Sequence, residues 1–315
     1  MEERKVVIGG VSYSVHFPPS SKLSPLSPPP PLIFVIHGRT QSLERYDFLC
    51  SRLCCEVGAI TVSFDAGNHG SRLIDPLRNL AWTETLKTSP ASFFHLPNEP
   101  SPSSSSSSET PVGSPPPPLI SNPTHAIDMY SQMLEVHHLV SLAMTFLPSY
   151  GISFSSASIV GVSQGAHASL LAFTHNPSLS YCVSIMGAGD YISLMKIRYE
   201  KLRQRFLSNP TPSTPPSFRD VFPESLEEVC LQKDIIHNLE SLALSSTRDL
   251  LLLHGADDDL VPTHLSHDLV RRGQENGVSI SLQVYEGVGH SLAQKMVDDS
   301  VQYFATRLRG NGEKL

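Results

Sequence analysis

Apolar and polar positions fall into blocks along this chain, and the period changes from block to block. Leu32 to Ile36, Ala59 to Phe64, Ala157 to Val162, Tyr181 to Met186 and Asp249 to Leu253 are short, nearly continuous apolar runs. A strand covered on both faces reads this way, because neither face meets water. Between these runs the period lengthens. Ser42 to Val57, His125 to Phe146, Thr263 to Glu275 and a last stretch ending near Leu308 carry apolar residues at helical spacing. In the second, Met129, Met133, Val136, Val140 and Ala143 form one stripe. Ser42 is a candidate cap for the first helix, and Gly58, Pro148 and Asn276-Gly277 are stop signals. Lys5–Ile8 and Val11–Phe17 flank Gly9-Gly10 and predict a hairpin, and Val278 to Tyr285 alternates as a strand. Strands alternating with helices predict an α/β fold: a mostly parallel central sheet with helices on both faces.

Three stretches interrupt the pattern. Pro18 to Pro31 is a proline- and serine-rich connector. Residues 89–122 collapse into serine and proline, including Ser103 to Ser108 and Pro115 to Pro118. So little apolar surface does not offset the entropy of ordering, so this insertion is expected to be disordered. Strand–helix order resumes after it, which makes it a loop insertion within a single 1–315 domain. Residues 187–246, between two strand runs, hold a basic amphipathic stretch to Phe206, a proline-rich break at 209–216 and a predicted helix over 218–241. They read as a helical cap insertion.

The chemistry sits where the apolar runs end. The run 157–162 leads into Gly161-Val-Ser163-Gln164-Gly165, with small residues on either side of a serine at a strand-to-helix turn. The run 249–253 enters His254-Gly255-Ala-Asp257-Asp258-Asp259-Leu-Val261-Pro262, and the last strand enters Gly289-His290. The run 32–36 enters His37-Gly38-Arg39-Thr40, and 59–64 enters Asp65 to Arg72, with Asn68-His69-Gly70-Ser71. In order and placement these motifs resemble the α/β-hydrolase superfamily over nearly the whole chain apart from the Ser/Pro insertion. With Asn122 to Met129 added, the resemblance is to its serine-esterase and dienelactone-hydrolase-like members.

That resemblance implies an α/β-hydrolase fold and a set of roles. Ser163 would be the nucleophile, His290 the base that takes its proton, and Asp258 the acid that orients His290. The spacing, 95 residues from serine to acid and 32 from acid to histidine, leaves room for a cap before the acid. Asp257 and Asp259 flank the acid position and stay open as its alternatives. The oxyanion would be held by the backbone N–H of Gln164 and by that of Arg39, with Thr40 as second choice. Thr40, His69 and Trp82 are candidate substrate contacts.

Composition narrows the function class. A formal net charge of −7 argues against nucleic acid or an acidic membrane surface as partner. No apolar run is long enough to span a bilayer. Met1 is followed by charged residues without an apolar h-region, so a cytoplasmic location is expected. Five cysteines without metal-ligand spacing read as reduced thiols, and neither a metal nor a cofactor is expected. His37 and His254 read as structural. Glu135, His137 and His138 read as a solvated helix face, as do Lys196, Arg198, Lys201, Arg203 and Arg205, for which attraction of an anionic substrate is the alternative. The expected activity is hydrolysis of a small-molecule carboxylic ester or thioester through an acyl-enzyme. The alternatives are a serine peptidase resembling the prolyl-oligopeptidase catalytic domain, and a non-catalytic ligand-binding protein on the hydrolase scaffold.

Overall fold

The apolar runs pair side by side into one eight-stranded sheet. The computed structural model describes residues 2–19, 28–84, 120–209, 214–244 and 247–309. Its strands are β1 (Glu2–Ile8), β2 (Val11–Phe17), β3 (Leu32–Ile36), β4 (Ile60–Phe64), β5 (Ala157–Val162), β6 (Leu179–Ile185), β7 (Asp249–Gly255) and β8 (Ile280–Tyr285), in the spatial order β1-β2-β4-β3-β5-β6-β7-β8. The β1–β2 hairpin and the β2–β4 pair are antiparallel, and every pairing from β4 to β8 is parallel. Strand order reverses at β3, which has β4 on one side and β5 on the other. The carboxyl ends of β3 and β5 therefore border a crevice, the usual place for a ligand in an open α/β sheet.

Helices cover both faces: α1 (Asp47–Arg52), α2 (His125–Phe146), α3 (Gln164–His175), α4 (Tyr191–Leu207), α5 (Phe218–Val221), α6 (Glu224–Lys233), α7 (Leu239–Ala243), α8 (His264–Glu275) and α9 (Gln294–Arg309). Because strand side chains alternate, the sheet supplies two cores. Leu32, Phe34, Ile159, Cys182 and Leu252 pack with Met133 and Val140 of α2 and Leu171 of α3. Ile33, Val35, Val160, Val183 and Leu251 pack with Leu49 of α1 and Met296 and Phe304 of α9. Each fully buried side chain of this size contributes roughly 2 kcal/mol. All five cysteines are free thiols.

Two predicted helices are broken. The stretch 42–57 is a 3₁₀ turn (Leu43–Tyr46), then α1, then a π turn (Leu53–Val57) closed by Gly58 in the left-handed conformation. Ser42 stands at the N-cap position without a side-chain cap bond. Asp65, reached from the end of β4, instead accepts from the Leu43 N–H at 2.9 Å. The stretch 218–241 divides into α5, α6, a 3₁₀ turn and α7. Pro223 interrupts it, and Asp234 takes an extended conformation because its carboxylate is used elsewhere.

The Ser/Pro-rich segment 89–122 lies outside the described residues up to 119. The described chain on either side of it is stitched together, with the Ser121 N–H donating to the Trp82 carbonyl at 2.7 Å.

Candidate active site

Ser163 stands between β5 and α3 at φ 57°, ψ −118°. A non-glycine residue in that region costs on the order of 1–3 kcal/mol and persists only where its surroundings enforce it. They do so here. The Ser163 N–H donates to the Ile185 carbonyl of β6 at 2.8 Å. Its own carbonyl accepts from Ala166 and His167, starting α3. The flanking glycines are required by contact. A Cβ on Gly161 would overlap the Gly165 carbonyl and Ser169 Oγ, and a Cβ on Gly165 would overlap the carbonyls of Ile36 and His37. The turn is therefore wedged against the end of β3, and its serine projects into the crevice.

The loops after β7 and β8 bring two more of the expected residues to Ser163. Its hydroxyl lies 2.8 Å from His290 Nε2. His290 Nδ1 lies 2.7 Å from Asp258 Oδ2. A carboxylate accepts from Nδ1–H, which leaves Nε2 as the acceptor for the serine proton. Asp258 is itself held: its Oδ1 accepts from the N–H groups of Leu260 and Val261 at 3.0 and 2.9 Å. Burial would raise its pKa, but hydrogen bonds from His254 and His290 outweigh that and hold the carboxyl well below the ordinary range. It is an anion whenever the protein is folded near neutrality. Asp257 and Asp259 are exposed. The Asp257 N–H goes to the Val288 carbonyl, and the Asp259 carbonyl accepts from Lys201 Nζ at 2.6 Å.

The two histidines that precede glycine at strand ends, His254 and His37, are braces. His254 bonds Ser266 Oγ at 2.8 Å and the Val261 carbonyl at 2.7 Å, with Asp258 Oδ2 3.4 Å away. His37 donates from Nδ1 to the Gly38 carbonyl and accepts at Nε2 from the Ala66 N–H, at 2.8 and 2.9 Å. Burial pushes its pKa down, which keeps the accepting nitrogen unprotonated.

Arg39 and Gln164 both line the pocket with Ser163 and His290. Among the described residues neither of their backbone N–H groups has an acceptor in the protein, as an oxyanion hole requires. The Arg39 side chain points away into a two-pronged ion pair with Glu84, at 2.6 and 2.8 Å, and also donates to the Asn79 carbonyl. That clamp fixes the loop carrying its N–H. Thr40 sits at φ 64° with its hydroxyl on the Arg39 carbonyl and lines no pocket at the site. His69 is buried, bonded to the Gly67 carbonyl, and lines no pocket at the site either. Trp82 borders a second chamber that shares Arg39, Arg198 and Leu260 with the first.

Four residues around the site went unassigned or were misread in the sequence. Arg198, expected on a solvated face, lines both chambers. Of the same basic run, Lys196 is exposed and Arg203 pairs with Glu200, as that expectation held. Arg205 donates to the Thr83 carbonyl. Glu135, also expected in solvent, accepts from the Gly67 N–H at 2.6 Å and pairs with Arg72, tying α2 to the loop after β4. Glu84 and Asp234 carry no local motif; their partners come from distant segments.

Comparison with known proteins places this geometry. The family model "Prolyl oligopeptidase family" matches residues 135–309, a span that contains Ser163, Asp258 and His290. The chain is 26% identical over 162 residues to Esterase YjfP of Escherichia coli (strain K12), covering 47% of this chain. It spans about half (55%) of that curated relative's length. TT1662 from Thermus thermophilus superposes over 98% of this chain and 99% of its own, with TM-score 0.61 and 18% identity. A Mycobacterium tuberculosis puromycin-hydrolyzing peptidase superposes over 98% of this chain and 39% of its own, with TM-score 0.58 and 16% identity. No helix among the described residues is long and apolar enough to cross a membrane. The chain belongs to the prolyl oligopeptidase family and has the α/β-hydrolase fold.

Proposed function

We propose that the protein hydrolyses carboxylic esters or thioesters of small molecules through a Ser163 acyl-enzyme. The observation that carries this reading is the chain of contacts from Ser163 Oγ to His290 Nε2 (2.8 Å) and from His290 Nδ1 to Asp258 (2.7 Å). His290 takes the Ser163 proton as Oγ attacks the acyl carbon, and the Asp258 carboxylate stabilises the imidazolium. The N–H groups of Gln164 and Arg39 hold the oxyanion, each worth roughly 3 kcal/mol of barrier. His290 then protonates the leaving group, and water, deprotonated by the same ring, releases the acid. Residues 187–246 act as a cap that sets which acyl and leaving groups enter.

Family membership and the puromycin-hydrolyzing neighbour favour a second reading, a peptidase acting on an aminoacyl amide. The lining of the two chambers weighs against it. An amine terminus calls for an acid, and among the described residues the one acid there, Glu84, is already held by Arg39.

Short-chain p-nitrophenyl esters and aminoacyl p-nitroanilides, offered to wild type and to Ser163→Ala, test both readings. Ester turnover that falls on the order of 10⁶-fold in the variant is expected. Full ester activity in Ser163→Ala overturns the mechanism, and anilide turnover exceeding ester turnover replaces the esterase by the peptidase.

A further inference from the structure

Three arginines of the described residues, Arg39, Arg248 and Arg198, are handled differently. Arg39 is clamped by Glu84 through both guanidinium prongs. Arg248 is spent on backbone carbonyls, those of Leu179, Phe173 and Asn176. Arg198 of α4, by contrast, has no carboxylate partner among the described residues. Its Nη1 lies 3.2 Å from His125 Nε2 and 3.5 Å from Met129 Sδ. Burial and the Arg198 cation keep His125 neutral, so its Nε2 accepts. Trp82 packs edge-on against the His125 ring, with centroids 5.7 Å apart, and fixes it. The guanidinium thus touches two neutral groups and forms no ion pair among the described residues; the Glu84 and Asp258 carboxylates act on it only from a distance. Burial, with the nearby Arg39 cation, lowers its pKa to about 10, so it still carries its charge at neutral pH.

A partly buried cation without a directly paired carboxylate is costly. This one borders both the chamber holding Ser163, Gln164 and His290 and the adjoining chamber holding Trp82 and Lys201. We infer that Arg198 is the substrate's anchor, and that the ester this site takes carries a carboxylate. This rests on the reading of Ser163 as the nucleophile. A planar carboxylate matches the guanidinium fork, two parallel N–H···O bonds to one charge. Lys201, whose Nζ is held by the Asp259 carbonyl at 2.6 Å, adds a second cation at the mouth.

Two arms locate the carboxylate. Umbelliferyl monoesters of succinic, glutaric and adipic acid, each beside its methyl-capped diester, place it on the acyl side. Acetylated hydroxybenzoate, beside its methyl ester, places it on the leaving group. Wild type is expected to favour the charged member of at least one arm by about tenfold or more in kcat/KM, and the arm that shows it assigns the side. Arg198→Gln is expected to lower that charged-to-capped ratio by about tenfold to a hundredfold, and Arg198→Lys to restore part of it. The ratio is read within each variant, so a general loss of rate does not mimic the effect, and the wild-type ratio is decisive should a variant not fold. No wild-type preference in either arm, or a ratio unmoved in Arg198→Gln, overturns the inference. Equal turnover by wild type and Ser163→Ala would instead overturn the nucleophile assignment on which it stands.

Discussion

Two histidine–aspartate pairs border the same pocket. His290 is held by Asp258 through Nδ1, and its Nε2 faces Ser163 Oγ. His167, on the first turn of α3, is turned the other way: its Nε2 lies 3.3 Å from Asp234, and its Nδ1 has no partner among the described residues. The two carboxylates also differ. Asp258 spends one oxygen on two backbone N–H groups, and its other oxygen receives His290 and faces His254. Asp234 is fully buried and shared among the Tyr130 hydroxyl (2.8 Å), the Tyr191 N–H (2.7 Å) and His167. A His–Asp pair is thus not in itself a catalytic device. It becomes one when the carboxylate takes the nitrogen remote from a nucleophile. The Asp258 pair belongs to loops at the sheet edge. The Asp234 pair ties α2, α3 and α4 to the end of α6 and reads as structural.

The pairs should separate under substitution. Asp258→Asn is expected to lower kcat about 10⁴-fold by reversing the His290 tautomer, with ester kinetics as the readout. Asp234→Ala is expected to lose about 3 kcal/mol of stability in urea unfolding, because it strands two donors and a histidine in the core. Its kcat should fall far less than that of Asp258→Asn, and the reverse pattern would exchange the roles of the two pairs.

A gentler separation comes from pH. The folded Asp258 pKa is depressed, so the stability it supplies is complete above the ordinary carboxylate range, near pH 4. That stability is lost as pH falls below this range. Wild type should therefore lose more stability than Asp258→Asn between neutral pH and about pH 3; parallel curves would contradict the depressed pKa. The smallest effect is expected for His167→Gln, a change in kcat of less than about tenfold, since that ring offers Ser163 no nitrogen.

The same contrast marks what the sequence made legible. Ser163, His290 and the Asp257–Asp259 triplet stand at the ends of apolar runs, so a strand period and a local motif find them together. The sheet was readable for the same reason: β3 to β7 are buried on both faces and need no partner to be recognised. Asp234 was not readable, because its partners lie 43, 67 and 104 residues away. Nor was Arg198. A basic residue on an amphipathic helix has the same local pattern whether it meets water or a pocket, and what decides it is His125, 73 positions earlier. The break of the 218–241 helix is a tertiary effect as well, since Asp234 leaves the helical conformation to reach α2, α3 and α4.

The central claim is that Ser163 is an activated nucleophile. It is tested most directly by treating the folded protein with a fluorophosphonate and locating the adduct by peptide mass spectrometry. A single adduct on Ser163, formed far more slowly in Asp258→Asn and at a near-normal rate in His167→Gln, is the expected result. An unlabelled protein, or a label on another residue, would contradict it.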